Sequence, residues 1–379
     1  MSAETVFTNA RIVLADEIVE GSVLVRDGRI AAIDAGASRA GEDMGGDYLM
    51  PGLVELHTDH LEGHYSPRPG VRWNAIAAVQ AHDAQVATSG ITTVFDCLRM
   101  GSDEDGGFDP QEMRDLADAI ETAQVEGRLR SDHYIHLRCE VSAPDVLDAF
   151  ERFRGDSRVR LASLMDHAPG QRQFQTMGQY TLYYKTKRGL TDDQFAVFVA
   201  RRQEQSALYS APHRRAIGEH CRGVGVTLAS HDDATLDHVD EAVRDGVRLA
   251  EFPTSVEAAR ASHDAGLSVL MGAPNIVRGG SHSGNIAARD LAEAGILDVL
   301  SSDYVPSSLI FAAFQLADQV ETIDLPQALS FVTEKPARTV GLTDRGLIEA
   351  GRRADLIRVR REVGAPVVRS VWREGVRVA

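Results

Sequence analysis

Leu49-Met-Pro-Gly-Leu-Val-Glu-Leu-His-Thr-Asp59 decides the reading of this chain. A Pro-Gly pair opens an apolar run that ends on His57 and Asp59. In an extended strand alternate side chains share a face, so these two point the same way and can grip one cation. Imidazole together with carboxylate suits zinc, manganese or iron rather than calcium. A His-x-Asp pair alone is equally a polar cap on a strand, so its weight depends on the other strand ends of the chain.

Several further apolar, β-rich runs stop on a metal-competent or catalytic residue, with helical stretches between most of them. Tyr134 to Val141 carries Glu140, Leu161 to His167 carries Asp166 and His167, Val226 to Asp232 carries His231, and Val299 to Tyr304 carries Asp303. With Leu53 to Asp59, Thr92 to Leu98, Arg248 to Thr254 and Val269 to Asn275 the count reaches eight strands. Eight parallel strands with crossover helices make a (β/α)8 TIM-like barrel, whose active site lies where the strands end. The candidate ligands all fall at those ends.

At 379 residues the chain exceeds the ~250 typical of a barrel, so a second, smaller module is expected. Its material is at the two ends. Thr5 to about Tyr48 reads as short strands and turns, with Asp27-Gly28 as a hairpin signal, and the tail from Gly346 repeats that texture. Neither end buries a sheet alone. The economical arrangement is a composite β-sandwich domain from residues 1–50 and 346–379 around a barrel of 51–345.

Composition removes other classes. The 43% hydrophobic and 25% charged content is ordinary for a globular enzyme. No apolar run approaches ~20 residues and no signal peptide opens the chain, which predicts a cytoplasmic protein without membrane association. Forty basic against 56 acidic residues leave a formal net charge of −16, which argues against nucleic acid as a partner. A small anionic substrate then needs local cations or bound metal. Cys97, Cys139 and Cys221 are odd in number and widely spaced, as expected of reduced, buried thiols.

The apolar-Pro-Gly-Leu-x-Glu-x-His-x-Asp run, His231 and Asp303 at later strand ends, and the tail Gly346-Leu-Ile-Glu-Ala-Gly-Arg-Arg-Ala-Asp-Leu-Ile357 resemble the amidohydrolase superfamily over the whole chain. Most members have a second His where this chain has Asp59, and many bridge their metals with a carbamylated Lys. No Lys stands near the third or fourth strand end, and the resemblance then implies Glu140 as the substitute. Leu56-His-Thr-Asp-His60, Ser89-Gly-Ile-Thr-Thr-Val94, Leu164-Met-Asp-His-Ala-Pro-Gly-Gln-Arg-Gln173, Met271 to Asn285 and Leu300-Ser-Ser-Asp-Tyr304 are similar to the α-D-ribose 1-methylphosphonate 5-triphosphate diphosphatase family of the carbon-phosphorus lyase pathway. His60 departs from that pattern, where Asn often follows the Asp.

The resemblance implies hydrolysis of a ribose 5-triphosphate, a small anionic phosphorylated sugar, to the 5-phosphate and pyrophosphate. It implies one or two divalent ions, zinc first and manganese or iron as alternatives, on His57, Asp59, Glu140, His167, His231 and Asp303. Asp303 would also orient the water and take its proton. Each ligand has a plainer reading: Glu140 as a surface partner of Arg138 or Arg160, and Asp166 as a support for His167 rather than a ligand.

Gly279-Gly-Ser-His-Ser-Gly-Asn285 follows the seventh strand and precedes a helical run, Ile286 to Gly295. Glycines let backbone N–H groups approach an anion, so Gly280, Ser281, His282, Ser283 and Asn285, with Arg278 before them, form a candidate phosphate cradle. Without a ligand the same segment is an ordinary Gly/Ser loop with a helix cap. The long connection between His167 and His231 offers Lys185 as a further phosphate contact, a solvated charge being the equal alternative. His82 reads as a buried, hydrogen-bonded histidine, His60 and His64 as loop residues near the site, and His213, His220, His238 and His263 as incidental. Two other functions stay open: an amidohydrolase acting on C–N bonds, which calls for a neutral pocket, and a non-enzymatic scaffold, which calls for lost ligands. A homo-oligomer is compatible with all of them.

Overall fold

The computed structural model describes residues 4–36, 38, 40–102, 108–172, 181, 185, 189–280, 286–362 and 364–379. The described chain forms two compact units, one of residues 1–96, 119–134 and 271–379, the other of 97–118 and 135–270.

Two sheets organise it. The ends of the chain share one: β1 (Glu4–Val13), β2 (Ile18–Arg26), β3 (Arg29–Ala35) and β5 (Tyr48–Pro51) combine with β14 (Leu356–Glu362), β15 (Ala365–Arg373) and β16 (Val376–Arg377) in the order β16-β15-β14-β5-β1-β2-β3. The short β4 (Glu42–Asp43) pairs β1 at the side. Antiparallel pairing of β14 with β5, Ile357 opposite Met50, joins the two termini. A shared core of Phe7, Ile12, Val23, Leu49, Leu356 and Trp372 seals them, with the Phe7 and Trp372 rings edge-to-face at 4.7 Å. Neither terminus supplies that core alone.

The second sheet is parallel and eight-stranded, ordered β13-β12-β11-β10-β9-β8-β7-β6. Its members are β6 (Leu53–Thr58), β7 (Ile91–Met100), β8 (Asp132–Glu140), β9 (Val159–Met165), β10 (Thr227–His231), β11 (Leu249–Glu251), β12 (Ser268–Gly272) and β13 (Val299–Ser301). All eight strands expected from the sequence are present. The first and last of the order meet where Thr58 and Asp303 form a parallel bridge, giving a nearly closed (β/α)8 barrel. Burial of all six residues of β6 is the signature of a strand covered on both faces.

The Pro-Gly before β6 has a steric cause. A Cβ at Gly52 would stand 2.2 Å from Thr92 Oγ1, so the strand enters the barrel only with glycine there. The tail motif is structural: Arg345 and Arg353 both reach Asp132 Oδ2, at 2.9 and 2.8 Å, and Arg353 also pairs with Asp355 at 3.0 Å.

Helix Asp192–Val224 dominates the long connection after β9. Thr191 and Gln194 close a capping box at its start, and Gly225, at φ +76°, ends it. Among the described residues no helix is long and apolar enough to cross a membrane.

Candidate active site

In the first unit, β6 carries buried His57 as its penultimate residue and delivers Asp59 at the start of helix His60–Tyr65, where its side chain makes no capping bond. Backbone hydrogen bonds lace this end to the last barrel strand: Asp59 N–H donates to the Asp303 carbonyl (3.0 Å) and Asp303 N–H to that of His57 (3.1 Å). Asp303 itself has φ +53°, left-handed backbone that a non-glycine residue holds only when its surroundings dictate it. Beneath them Glu55 accepts from the backbone N–H of His57 at 2.6 Å and from that of Ser302. Burial pushes the Glu55 carboxyl up to about 7, against those same hydrogen bonds. The unit thus brings His57, Asp59 and Asp303 to one place.

The second unit gathers the ends of β8 to β11. His167 Nδ1 lies 2.7 Å from Glu140 Oε2, and the His167 backbone N–H donates to Glu140 Oε1 at 3.1 Å. The other ring nitrogen, Nε2, is 3.7 Å from Asp232 Oδ2, which is also 3.5 Å from His231 Nε2. His231 Nδ1 faces Glu251 Oε2 at 3.2 Å. Glu251 in turn accepts from Ser163 Oγ at 2.6 Å. Burial by itself would lower His167, but Glu140 and Asp232 overcome it and hold the imidazole up at about 10. Glu140 is the mirror image: His167 and Arg202 outweigh burial and bring it down to about 2.

One face of helix Asp192–Val224 backs this cluster. Arg202 Nη2 donates to Glu140 (3.3 Å), Ser206 and Ser210 both donate to Asp166 Oδ2 (2.7 and 2.6 Å), and His213 Nδ1 lies 3.0 Å from the Val141 carbonyl. The spacing 202, 206, 210, 213 follows the helical repeat, so a single stripe reaches three neighbouring targets. Asp166 is engaged by that stripe. Glu140 is 1% exposed, which removes the surface-pair reading.

The donor chemistry suits a divalent metal. His167, His231 and Asp232 each offer an atom within 4.8 Å of the others. Glu251, facing Nδ1 of His231, is a carboxylate that fixes the orientation of that imidazole. Asp232, φ +57°, lies just past the end of β10, whereas in the sequence it reads as the last residue of the strand run, with no role of its own.

The phosphate contacts stand differently. Lys185 is paired with Asp192. Arg278 is exposed at the end of a helix, Ala273–Arg278, that intervenes between β12 and the glycine-rich loop. The loop therefore does not follow the strand directly; Pro274 in the first turn begins that helix, and Asn275 ties it to the next one by accepting from Ala288 N–H at 3.0 Å. Gly280 N–H is engaged with the Asn275 carbonyl at 2.8 Å. Ser281, His282, Ser283 and Asn285 lie outside the described residues.

Residues 48–378 match the amidohydrolase family. The chain belongs to the amidohydrolase family. This amidohydrolase is 47% identical over 376 residues to the α-D-ribose 1-methylphosphonate 5-triphosphate diphosphatase of Escherichia coli (strain K12), covering 98% of the chain and 100% of that protein. An imidazolonepropionase of Deinococcus deserti is 26% identical, with 95% and 92% covered. Among solved structures, a 5-methylcytosine deaminase from Klebsiella pneumoniae superposes with a TM-score of 0.68 at 16% identity, covering 99% of the amidohydrolase and 98% of the deaminase. An N-acetyl-D-glucosamine-6-phosphate deacetylase from Mycobacterium smegmatis gives 0.65 at 16% identity, with 99% of each chain covered. At such identities the structural likeness speaks to the fold.

Proposed function

We infer that this amidohydrolase hydrolyses α-D-ribose 1-methylphosphonate 5-triphosphate to the 5-phosphate and pyrophosphate, a step of phosphonate catabolism in the cytoplasm. The observation that carries this reading is the 47% identity to the Escherichia coli diphosphatase over essentially both full lengths. That identity spans the segments that form the barrel, the terminal sheet and the strand ends of this chain together.

One or two divalent ions, zinc foremost, are assigned to His57, Asp59, Glu140, His167, His231 and Asp303, each at or just beyond the C-terminal end of a barrel strand. Asp232 joins the candidates on its closeness to both His167 and His231. A bound ion would supply Lewis acidity toward a phosphoryl oxygen and a water acidified towards ~7.

The chain's own groups do the rest. Asp303, fixed by backbone bonds to β6, is the carboxylate that orients the water and accepts its proton. Glu251 and Glu140 hold the rings of His231 and His167. Arg278, Lys185 and the loop Ser281, His282, Ser283 and Asn285 are assigned to the β- and γ-phosphates, with Gly280, whose N–H is held by Asn275, shaping the start of the loop; cations and polar donors there stabilise charge growing on the departing pyrophosphate.

The test is pyrophosphate release from ribose 5-triphosphates that differ only at carbon 1. The methylphosphonate-bearing sugar is expected to give the highest kcat/KM. Release of orthophosphate alone, or no release from any of the set, contradicts the assignment.

A further inference from the structure

Three imidazoles converge in the first unit at residues to which the proposed reaction gives no role. His60 and His64 are four residues apart on helix His60–Tyr65, hence on one face, and His82 lies on helix Ala75–Thr88. The Nδ1 atoms of His60 and His82 are 3.3 Å apart. The His60 and His64 ring centres are 4.8 Å apart and those of His64 and His82 6.2 Å. Each ring places a nitrogen within 4.8 Å of the other two.

The support behind His82 is that of a metal ligand. Its Nε2 lies 2.7 Å from Asp96 Oδ1, both side chains being fully enclosed. Asp96 Oδ2 lies 2.7 Å from His133 Nδ1, and His133 Nε2 faces Asp83 at 3.4 Å. Asp83 is pinned by the backbone N–H groups of Arg130 and Ser131, at 2.8 and 3.0 Å. An imidazole whose Nε2–H is engaged by a buried carboxylate presents its Nδ1 lone pair, and here that lone pair faces His60.

Spacing and satisfaction agree. Two nitrogens each about 2.0–2.1 Å from a tetrahedral ion stand about 3.3 Å apart, the separation of the His60 and His82 Nδ1 atoms. A simple hydrogen bond between those two atoms would account for one pair only. It leaves His64 Nε2, which is enclosed and without a hydrogen-bond partner among the described residues, unexplained.

The geometry points to a second metal site, in which His60, His64 and His82 hold one divalent transition ion of the zinc class and leave a fourth position open to water or an anionic oxygen. Three imidazoles with the carboxylate held behind them select zinc, cobalt, nickel or copper over magnesium and calcium. The site shares no ligand with the set assigned to hydrolysis, and its fate does not depend on that reading.

The test counts metal rather than turnover. Full-length protein stripped by chelator and reloaded with cobalt is compared with His64→Ala and His60→Asn variants treated identically. Each variant is expected to bind one cobalt ion fewer per chain, and the difference spectrum to show the visible bands of tetrahedral cobalt. Equal stoichiometry in wild type and His64→Ala overturns the site. The unmutated protein gives an independent readout if a variant folds poorly: a cobalt-loaded crystal should show an anomalous peak among the three rings. A crystal with cobalt at His231 and none among them rules the site out.

Discussion

Thr58 and Asp303 are bridged as parallel partners across the ends of β6 and β13, and Thr58 Oγ1 donates to the Asp303 carbonyl at 3.1 Å. That contact closes the barrel and at the same time holds Asp303 in left-handed backbone beside His57 and Asp59. Fold closure and the placing of a candidate proton acceptor are therefore one structural event. Replacing Asp303 with Asn preserves shape and removes the basic carboxylate. The expected result is retention of much of the metal, held by the remaining ligands, with kcat lower by about 100-fold or more. Steady-state kinetics on metal-replete protein check this, and wild-type turnover would remove Asp303 from that role.

Glu140 is buried against His167, Ser142 and Arg202. An amide coordinates divalent cations poorly compared with a carboxylate, so Glu140→Gln should weaken metal retention at least about 10-fold. Metal per chain after equilibrium dialysis measures this. Unchanged retention with unchanged activity would make Glu140 a purely structural carboxylate.

Glu251 bears on the same centre from behind. It stands 3.2 Å from His231 Nδ1 and accepts from Ser163. Glu251→Gln should lower metal affinity by about 10- to 100-fold while leaving the ligand atoms in place. Competition with a chromogenic chelator gives the value, and an affinity equal to wild type would contradict the orienting role.

A pH effect is expected far from the site. Burial opposes the charged form of Asp156, but hydrogen bonds from Arg158 (2.8 Å) and Arg114 (3.0 Å) outweigh it and hold the carboxyl below its usual range. Because the folded value is depressed, the stabilisation is present above the unfolded pKa of about 3.9 and is lost as pH falls through the folded value. Asp156→Asn should cost about 1 kcal/mol at pH 7 and progressively less below pH 4. Urea unfolding at both pH values tests it; a cost that grows on acidification would have the wrong sign.

The barrel strands are legible in the sequence because each is an apolar run between polar helices, and His57, Glu140, His231 and Asp303 stand out at the ends of such runs. Other features depend on contacts remote in sequence. Glu251 ends a strand of only three residues, Leu249–Glu251, and its proximity to His231 comes from parallel register. The stripe Arg202, Ser206, Ser210 and His213 has helical spacing, yet nothing local marks its targets, and His213 reads as incidental. His82 is readable as a buried, bonded histidine, whereas its convergence with His60 and His64 needs two helices packed together. The helix Ala273–Arg278 is hidden because an apolar Ala-Pro-Asn-Ile-Val run continues the strand pattern.

In the proposed reaction water attacks the phosphorus nearest the sugar, because a metal held at the strand ends would face that phosphoryl group while the β- and γ-phosphates extend towards Arg278. Hydrolysis of the ribose 5-triphosphate in heavy-oxygen water, with both products weighed by mass spectrometry, tests it most directly. One solvent oxygen is expected in the ribose 5-phosphate product and none in pyrophosphate. Label confined to pyrophosphate, or the absence of pyrophosphate altogether, would contradict it.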